Sequence, residues 1–531
     1  MENRPKVIVI GLDGATWDLI KPWAEDGKLP TFEYLMENGA WGVLESTIPP
    51  YSPIAWNSIY TGVYPIKHGI FGSFKREKDS YHFRPVLSKD RKVEAIWNIL
   101  SLFERRSILI NLPFTYPPEK INGIMITGLG TPDRSSNFTY PPDFRDILIK
   151  KFPNYDVDFN EEKLSYEKDI SWLLQKVRDV TSAQIELTKF LMRNENWNLL
   201  FSVFRAPDVI QHYFWSNREI ILEVYNYIDD FLRYLLDAID ENTTLILCSD
   251  HGFSEVKKTV YINNWLEQEG FLKIKTKKTQ KFIDILGINA INLKSFITKL
   301  GLWSFVKKFR DTELFKKVLE IIPNPEYGEL FNVDWNKTKA YFFYGSDGTI
   351  YINLKGREPL GIVNGDEYDK IINDLKAALL NLRDPETGDR VIEKVLTRKE
   401  LINNDFNILD DIPDVFLLKN KHYKLSGYNP NKTIFGPPVV GRLKRPADHD
   451  INGIFLAYGS SIKHTKVNAS VVNIMPTILA ILNLPISMHV DGKPLLSIFR
   501  NSQAEIKYID IHKFRLKKII HRINLKRGQE K

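Results

Sequence analysis

The sequence predicts an α/β protein in which a mixed, mostly parallel sheet is sandwiched by helices and carries one inserted helical cap. Three observations predict it. Short apolar runs recur and each ends in polar or turn residues, helical patterns lie between several of them, and one long basic stretch breaks the rhythm. Buried strands alternating with helices pack as a parallel or mixed sheet covered on both faces. Ligands of such sheets gather beyond the carboxyl ends of the strands. The polar residues that close each run are therefore candidates for chemistry.

Taken in order, "KVIVIGLDG" reads as a strand ending at Asp13. Thr31 to Asn38, before Gly39, has a helical pattern. "SILINLP" is a strand closing near Pro113, and Ser182 to Arg193 is again helical. "WNLLFSVFRAPD" is a strand that runs into Asp208, "TTLILCSDHG" closes on Asp250 and His251, and "GIFLAYG" ends at Gly459. Residues 265–335 are basic and helical in period, which predicts the cap. The expected division is a core of residues 1–264 and 336–500, the cap at 265–335 and a basic tail at 501–531. That tail has apolar residues at helical spacing and is either a docked terminal helix or a surface-binding segment.

A chain of 531 residues, 43% hydrophobic and 26% charged, can bury a large core and is not disordered in composition. Its net charge of +7 suits an anionic substrate but does not argue for nucleic acid. The lone cysteine, Cys248, excludes an internal disulfide and a thiolate metal cage, which fits a reducing compartment. The N-terminal apolar stretch is too short for a signal peptide. No run reaches the roughly 18 apolar residues of a spanning helix. The expectation is a cytoplasmic protein, with peripheral membrane contact through the basic tail as an option.

The stretch "YSPIAWNSIYTGVYPIKHGI", residues 51–70, opens with a hydroxyl beside a proline and is heavily punctuated. Ser52 is either a helix cap or a nucleophile at a loop-to-helix junction. Distant residues bear on the choice. Asp208 and His212 are spaced i and i+4, on one face of a helix. Asp13, and Asp250 with His251, close strands, and His449 precedes the last strong strand. Each is ordinary alone, since an Asp at a strand end commonly caps the next helix. Together, at strand ends and with a candidate hydroxyl, they form an unusual set.

The ordered segments "VIVIGLDG", "SPIAWNSIYTGVYPIKHGIFG", "APDVIQHYFW", "LILCSDHGF", "ADHDINGIFLAYG" and "NIMPTILAILNLPISMHVDGKPL" resemble the alkaline phosphatase superfamily. The branch they resemble is the type I phosphodiesterase/nucleotide pyrophosphatase family. The resemblance spans about residues 6 to 500 outside the cap, and "YINLKGREPLGIV" is also similar to this branch. It implies an alkaline-phosphatase-like fold and hydrolysis of phosphodiester or pyrophosphate bonds in nucleotide-type small substrates. It implies two divalent ions, one held by Asp208, His212 and His449, the other by Asp13, Asp250 and His251. Ser52 would stand where the family's nucleophilic threonine or serine stands and form a phospho- or nucleotidyl-serine. Oxygen and nitrogen donors without thiolates suit zinc, with manganese or iron as alternatives.

The better-known pyrophosphatases have a phosphoryl-binding asparagine three residues after the nucleophile; here that position is Ala55, with Asn57 nearby as a candidate. Arg442, Lys444 and Arg445, just before His449, are further candidates for a substrate phosphate. His68 is read as a loop brace, and His464 and His489 as non-ligands. Sulfatases need Pro two residues and Arg four residues after the nucleophile, where this chain has Ile54 and Trp56. The "GNSEVGH"-like loop of cofactor-independent phosphoglycerate mutases is missing. Two alternatives stay open: a phosphomonoesterase using the same site, and a non-catalytic, membrane-associated binding protein that keeps the fold.

Overall fold

The computed structural model describes residues 4–159, 161, 170–275, 333–343, 345–402, 410–427, 432–440, 443–501 and 506–518. Seven strands carry the architecture: β1 (Lys6–Leu12), β2 (Ala40–Glu45), β3 (Ser107–Leu112), β4 (Gly123–Thr127), β5 (Leu199–Phe204), β6 (Thr243–Cys248) and β7 (Asn452–Tyr458). With three two-residue strands they form a ten-stranded sheet whose central order is β2-β7-β6-β1-β5-β3-β4. β6, β1, β5, β3 and β4 run parallel, whereas β7 lies antiparallel between β6 and β2. The protein is thus a mixed α/β structure around a large, mostly parallel sheet flanked by helices.

Period-2 alternation explains why the apolar runs read as continuous. Along β1, Ile8, Ile10 and Leu12 enter one apolar cluster while Val7 and Val9 enter another on the opposite face. Both faces need cover, so every position from Val7 to Leu12 is apolar. The first face packs against the helices Trp17–Glu25, Pro30–Asn38, Ser171–Asn194 and Arg218–Ala238. The second packs against Ser52–Thr61, Ile96–Leu102 and Ile474–Ile481. Cys248 is buried within the second cluster, where burial pushes its thiol pKa up.

The expected cap falls mostly on residues 276–332, outside the described residues. Its flanks, together with residues up to 425 that the sequence reading joined to the core, form a third apolar cluster. Here a four-stranded antiparallel sheet (Ala340–Phe342, Thr349–Ile352, Val415–Lys419, Ile392–Thr397) packs on the helix Gly365–Asn381. A buried ionic network holds it. The Arg357 guanidinium donates to Asp414 Oδ1 and Oδ2 at 3.0 and 2.6 Å, and Tyr368 and the Ile352 amide donate to the same carboxylate. Arg76, from the hairpin Phe74–Arg76/Phe83–Pro85, reaches Glu358 at 3.0 Å and ties the two parts together.

Removing one partner of such a network leaves an uncompensated buried charge. Asp414→Ala is expected to cost about 3–5 kcal/mol, read as a lowered urea midpoint. An unchanged midpoint would show that this network does not stabilise the native state.

The described part of the tail is docked. Tyr508–Ile509 pairs in parallel with Ile486–Ser487, and residues 511–518 are helical. Phe514 stacks on Phe103 at 4.9 Å, Arg515 pairs with Glu94, and Lys518 Nζ donates to Leu102 O at 2.7 Å. Among the described residues, no helix is long and apolar enough to cross a membrane.

Candidate metal centre and nucleophile

Three adjacent parallel strands end together. Gly11 of β1 pairs with Cys248 of β6, and Leu12 pairs with Phe204 of β5. The residues that follow are therefore neighbours in space. Asp13 follows β1 directly, Asp250 and His251 follow β6, and β5 leads into the helix Ala206–Phe214 that carries Asp208 and His212. His449 arrives differently. Strand Ala447–Asp450 pairs antiparallel with Gly252–Glu255, setting His449 opposite Phe253, two residues after His251.

The donor atoms converge. Asp208 Oδ1 lies 3.2 Å from His212 Nε2 and 3.5 Å from His449 Nε2, and the two imidazole nitrogens are 3.1 Å apart. His251 Nε2 lies 3.3 Å from Asp250 Oδ2 and 3.7 Å from Asp13 Oδ1. The donor atoms of Asp208, His251 and His449 also lie within 4.8 Å of one another, as do those of His212, Asp448 and His449. The cluster is continuous, and Asp448 belongs to it although the sequence reading left it out.

Ser52 is the first residue of the helix Ser52–Thr61, and Tyr51 is its N-cap without a side-chain bond. Its hydroxyl therefore does not cap the helix. Oγ lies 3.1 Å from His251 Nε2 and 3.5 Å from Asp13 Oδ1. The nearby hydroxyls are engaged elsewhere: Ser46 donates to Asp250 O and Thr47 to Pro49 O.

The donor set fits divalent cations. Asp208 Oδ1 and Asp250 Oδ2 are buried and accept no hydrogen bond, which is costly for a carboxylate. Burial, then the fields of Asp250 and Asp208, hold the Asp13 carboxyl well above its usual range. Burial likewise pushes Asp250 up to about 7. Burial lowers His251 and His212 to about 4, so both are neutral imidazoles. Burial also opposes charge on His449, but Asp448, with help from Asp208 and Asp347, carries it up to about 10. Burial and crowding thus raise Asp13 and Asp250, while the neighbouring His212 and His449, against burial, lower Asp208, and cations would relieve the crowding by charge.

Neighbours position the cluster. Trp56 Nε1 donates to Asp13 Oδ2 at 2.9 Å. Its ring needs Gly11, where an added Cβ would stand 2.5 Å from Trp56 Cη2. Gly14, at φ +68°, allows its amide to donate to Asp250 Oδ1 at 3.2 Å. Tyr51 stacks on His449 at 5.9 Å. Trp56 stands four residues after Ser52, one helical turn on, and that spacing is the signal in the sequence that it shares the face of Ser52. Gly11→Ala is expected to displace Trp56 and cost about 1–3 kcal/mol in a denaturant melt. A wild-type midpoint would mean the indole has room to yield.

The substrate candidates divide. Arg445 lies in the cluster: its Nε donates to His212 Nδ1 at 2.9 Å, its Nη2 contacts His212 Nε2, and Nη2 stands 3.4 Å from Asp448 Oδ1. Lys444 is exposed, and Arg442 lies outside the described residues. Asn57 is engaged within its own helix. Its amide donates to Pro53 O at 2.8 Å, and five residues after Ser52 it stands about 140° around the helix. His68 is fully buried, accepts from the Ile70 amide at 3.1 Å and lies 3.1 Å from Ser58 Oγ, as a brace does.

A family model described as type I phosphodiesterase/nucleotide pyrophosphatase matches residues 7–449. Among solved structures, human ectonucleotide pyrophosphatase/phosphodiesterase 5 is similar at TM-score 0.52 and 13% identity, covering 93% of this chain and 100% of that one. Phosphonoacetate hydrolase from Sinorhizobium meliloti 1021, in complex with phosphonoacetate, is similar at TM-score 0.53 and 13% identity, covering 90% and 96%. At such identities the likeness is one of fold. No curated protein matches the chain.

Proposed function

Because the chain belongs to the type I phosphodiesterase/nucleotide pyrophosphatase family and is a hydrolase of that kind, we propose that it cleaves phosphodiester or pyrophosphate bonds through Ser52 at a two-metal site. Asp208, His212 and His449 would hold one ion, and Asp13, Asp250 and His251 the other. Zinc is the first choice, with manganese or iron as alternatives. The observation that carries this reading is Ser52 Oγ, free of any capping role and 3.1 Å from His251 Nε2 within a buried set of oxygen and nitrogen donors.

When bound, paired divalent ions supply positive charge that favours an ionised hydroxyl and a departing oxygen. The chain's own residues do the rest. The N-terminal end of the ten-residue helix lends its dipole to negative charge growing on Ser52 Oγ. Ser52 attacks phosphorus and expels the first product as an alcohol or phosphate. Water then cleaves the serine ester and restores the hydroxyl. Trp56 fixes the Asp13 carboxylate while this happens. Arg445, beside His212, would take a substrate phosphoryl oxygen.

Chelator-treated chain, resupplied with zinc, manganese or iron in turn, tests the proposal against chromogenic phosphate diesters and monoesters. Metal-dependent turnover that favours the diester is expected. Exclusive monoester turnover would move the assignment to a phosphomonoesterase, and turnover that survives exhaustive chelation would contradict the two-metal site.

A further inference from the structure

A cavity of about 530 Å³ opens well away from the metal cluster. It lies between the segment 88–99, the residues around Gly62 and the docked C-terminal helix. Its volume falls in the range of small-molecule pockets. Thr61 lines it at one end of the helix that begins with Ser52, so roughly 14 Å of helix separates the two places.

Its charge is one-sided. The lining carries Lys89, Arg91, Lys92 and Arg515 against only Glu94 and Glu119. Both carboxylates are engaged: Glu119 accepts from Arg91 at 2.5 Å and Asn98 at 2.9 Å, and Glu94 pairs with Arg515. Neither lysine has an ion-pair partner among the described residues. The Arg91 side chain is only 4% exposed, held by Glu119, by Val93 O and by the Trp97 ring 5.0 Å away. Its Nη1 is buried without a hydrogen bond, so Arg91 contributes its charge to the wall and not that donor. His489 and His512, with ring centroids 6.0 Å apart, add further donors to the wall. Ile99, Met475, Val490 and Ile511 supply apolar surface.

We propose that this cavity is a second anion site, distinct from the metal centre, that takes a phosphomonoester group. Lysine and arginine around a half-open pocket suit a dianionic phosphate, which offers several acceptors to several cations. The group can come free in solution or on a lipid headgroup. Met488, next to His489, and Leu516, next to Arg515, are 57% and 58% exposed. They would meet an acyl boundary if the source were a membrane.

The site shares no residue with the metal cluster, so its test is independent of the catalytic proposal. Binding of inorganic phosphate is measured by equilibrium dialysis on the full chain, metal-loaded and chelated. The same chain is co-sedimented with phosphatidylcholine vesicles with and without phosphatidic acid. Lys89 and Lys92 are exposed, so the variant is Lys89→Ala/Lys92→Ala. Phosphate binding that persists in chelator and weakens at least about tenfold in the double variant supports a soluble source. Phosphatidic-acid-dependent sedimentation lost in the double variant supports a lipid source. In both cases hydrolysis of a phosphodiester stays at the wild-type level. If the double variant matches wild type in both assays, or if all phosphate binding vanishes with chelator and no vesicle binding is seen, the cavity is not an anion site.

Discussion

Ser52→Ala is expected to lower phosphodiester turnover by roughly 10⁴-fold or more while leaving bound divalent metal unchanged. The asymmetry follows from position. Ser52 opens its helix, but its hydroxyl caps nothing, and alanine is the best helix former. The fold therefore loses no bond that the serine provided to the backbone. The donor atoms of Asp13, Asp208, His212, Asp250, His251 and His449 do not include the hydroxyl, so ion binding survives. What disappears is the atom that would carry the phosphoryl group between the two steps. Metal content by elemental analysis and single-turnover rates check both halves. Near-normal turnover in a folded, metal-loaded variant would reject Ser52. Ser46 and Thr47 would be poor replacements, since their hydroxyls are bound to Asp250 O and Pro49 O.

Asp208→Asn is expected to abolish activity by a different route, through loss of metal. The substitution keeps the shape of the side chain and removes one of the three negative charges, on Asp13, Asp208 and Asp250, that would balance two divalent ions. Asp208 Oδ1 is buried without a hydrogen bond and faces two imidazole nitrogens at 3.2 and 3.5 Å. An amide there offers a weaker, uncharged donor. A ligand that binds only the native state stabilises it by about 2.7 kcal/mol at a hundredfold excess over its dissociation constant. Added zinc or manganese should therefore raise the melting temperature of the wild type and have little effect on Asp208→Asn. Equal metal-induced shifts in the two proteins would show that the ions bind elsewhere. The Ser52 and Asp208 variants together separate chemistry from assembly: the first keeps the metal response and loses turnover, the second loses both.

The strand ends were legible because burial on both faces writes each central strand as an unbroken apolar run. The first polar residue after it marks the sheet's edge. That rule finds Asp13 directly after β1; Ser249 and Arg205 come first after β6 and β5, and Asp250 and Asp208 follow within four residues of the strand ends. The i, i+4 spacing found His212, because a helix repeats its face at that interval. The same period sets Asn57 about 140° around the helix from Ser52, with its amide on Pro53 O. Trp56, Asp448 and Asp347 were missed because their roles depend on contacts made across the fold. Trp56 reaches Asp13 only because Gly11 leaves room above β1, and Asp347 comes within 3.4 Å of His449 from a loop of the smaller sheet.

The sequence alone determined the α/β class, the strands that end in carboxylates and the serine that opens a helix, since periodicity and composition are local properties of a chain. Tertiary structure decided which of those residues meet. It did so through the parallel register of β6, β1 and β5 and the ribbon that sets His449 beside His251. It also decided that the basic C-terminal segment closes a cavity against residues 88–99. Contacts between segments hundreds of residues apart are chosen by the packing of whole faces, and no local pattern in the chain encodes them.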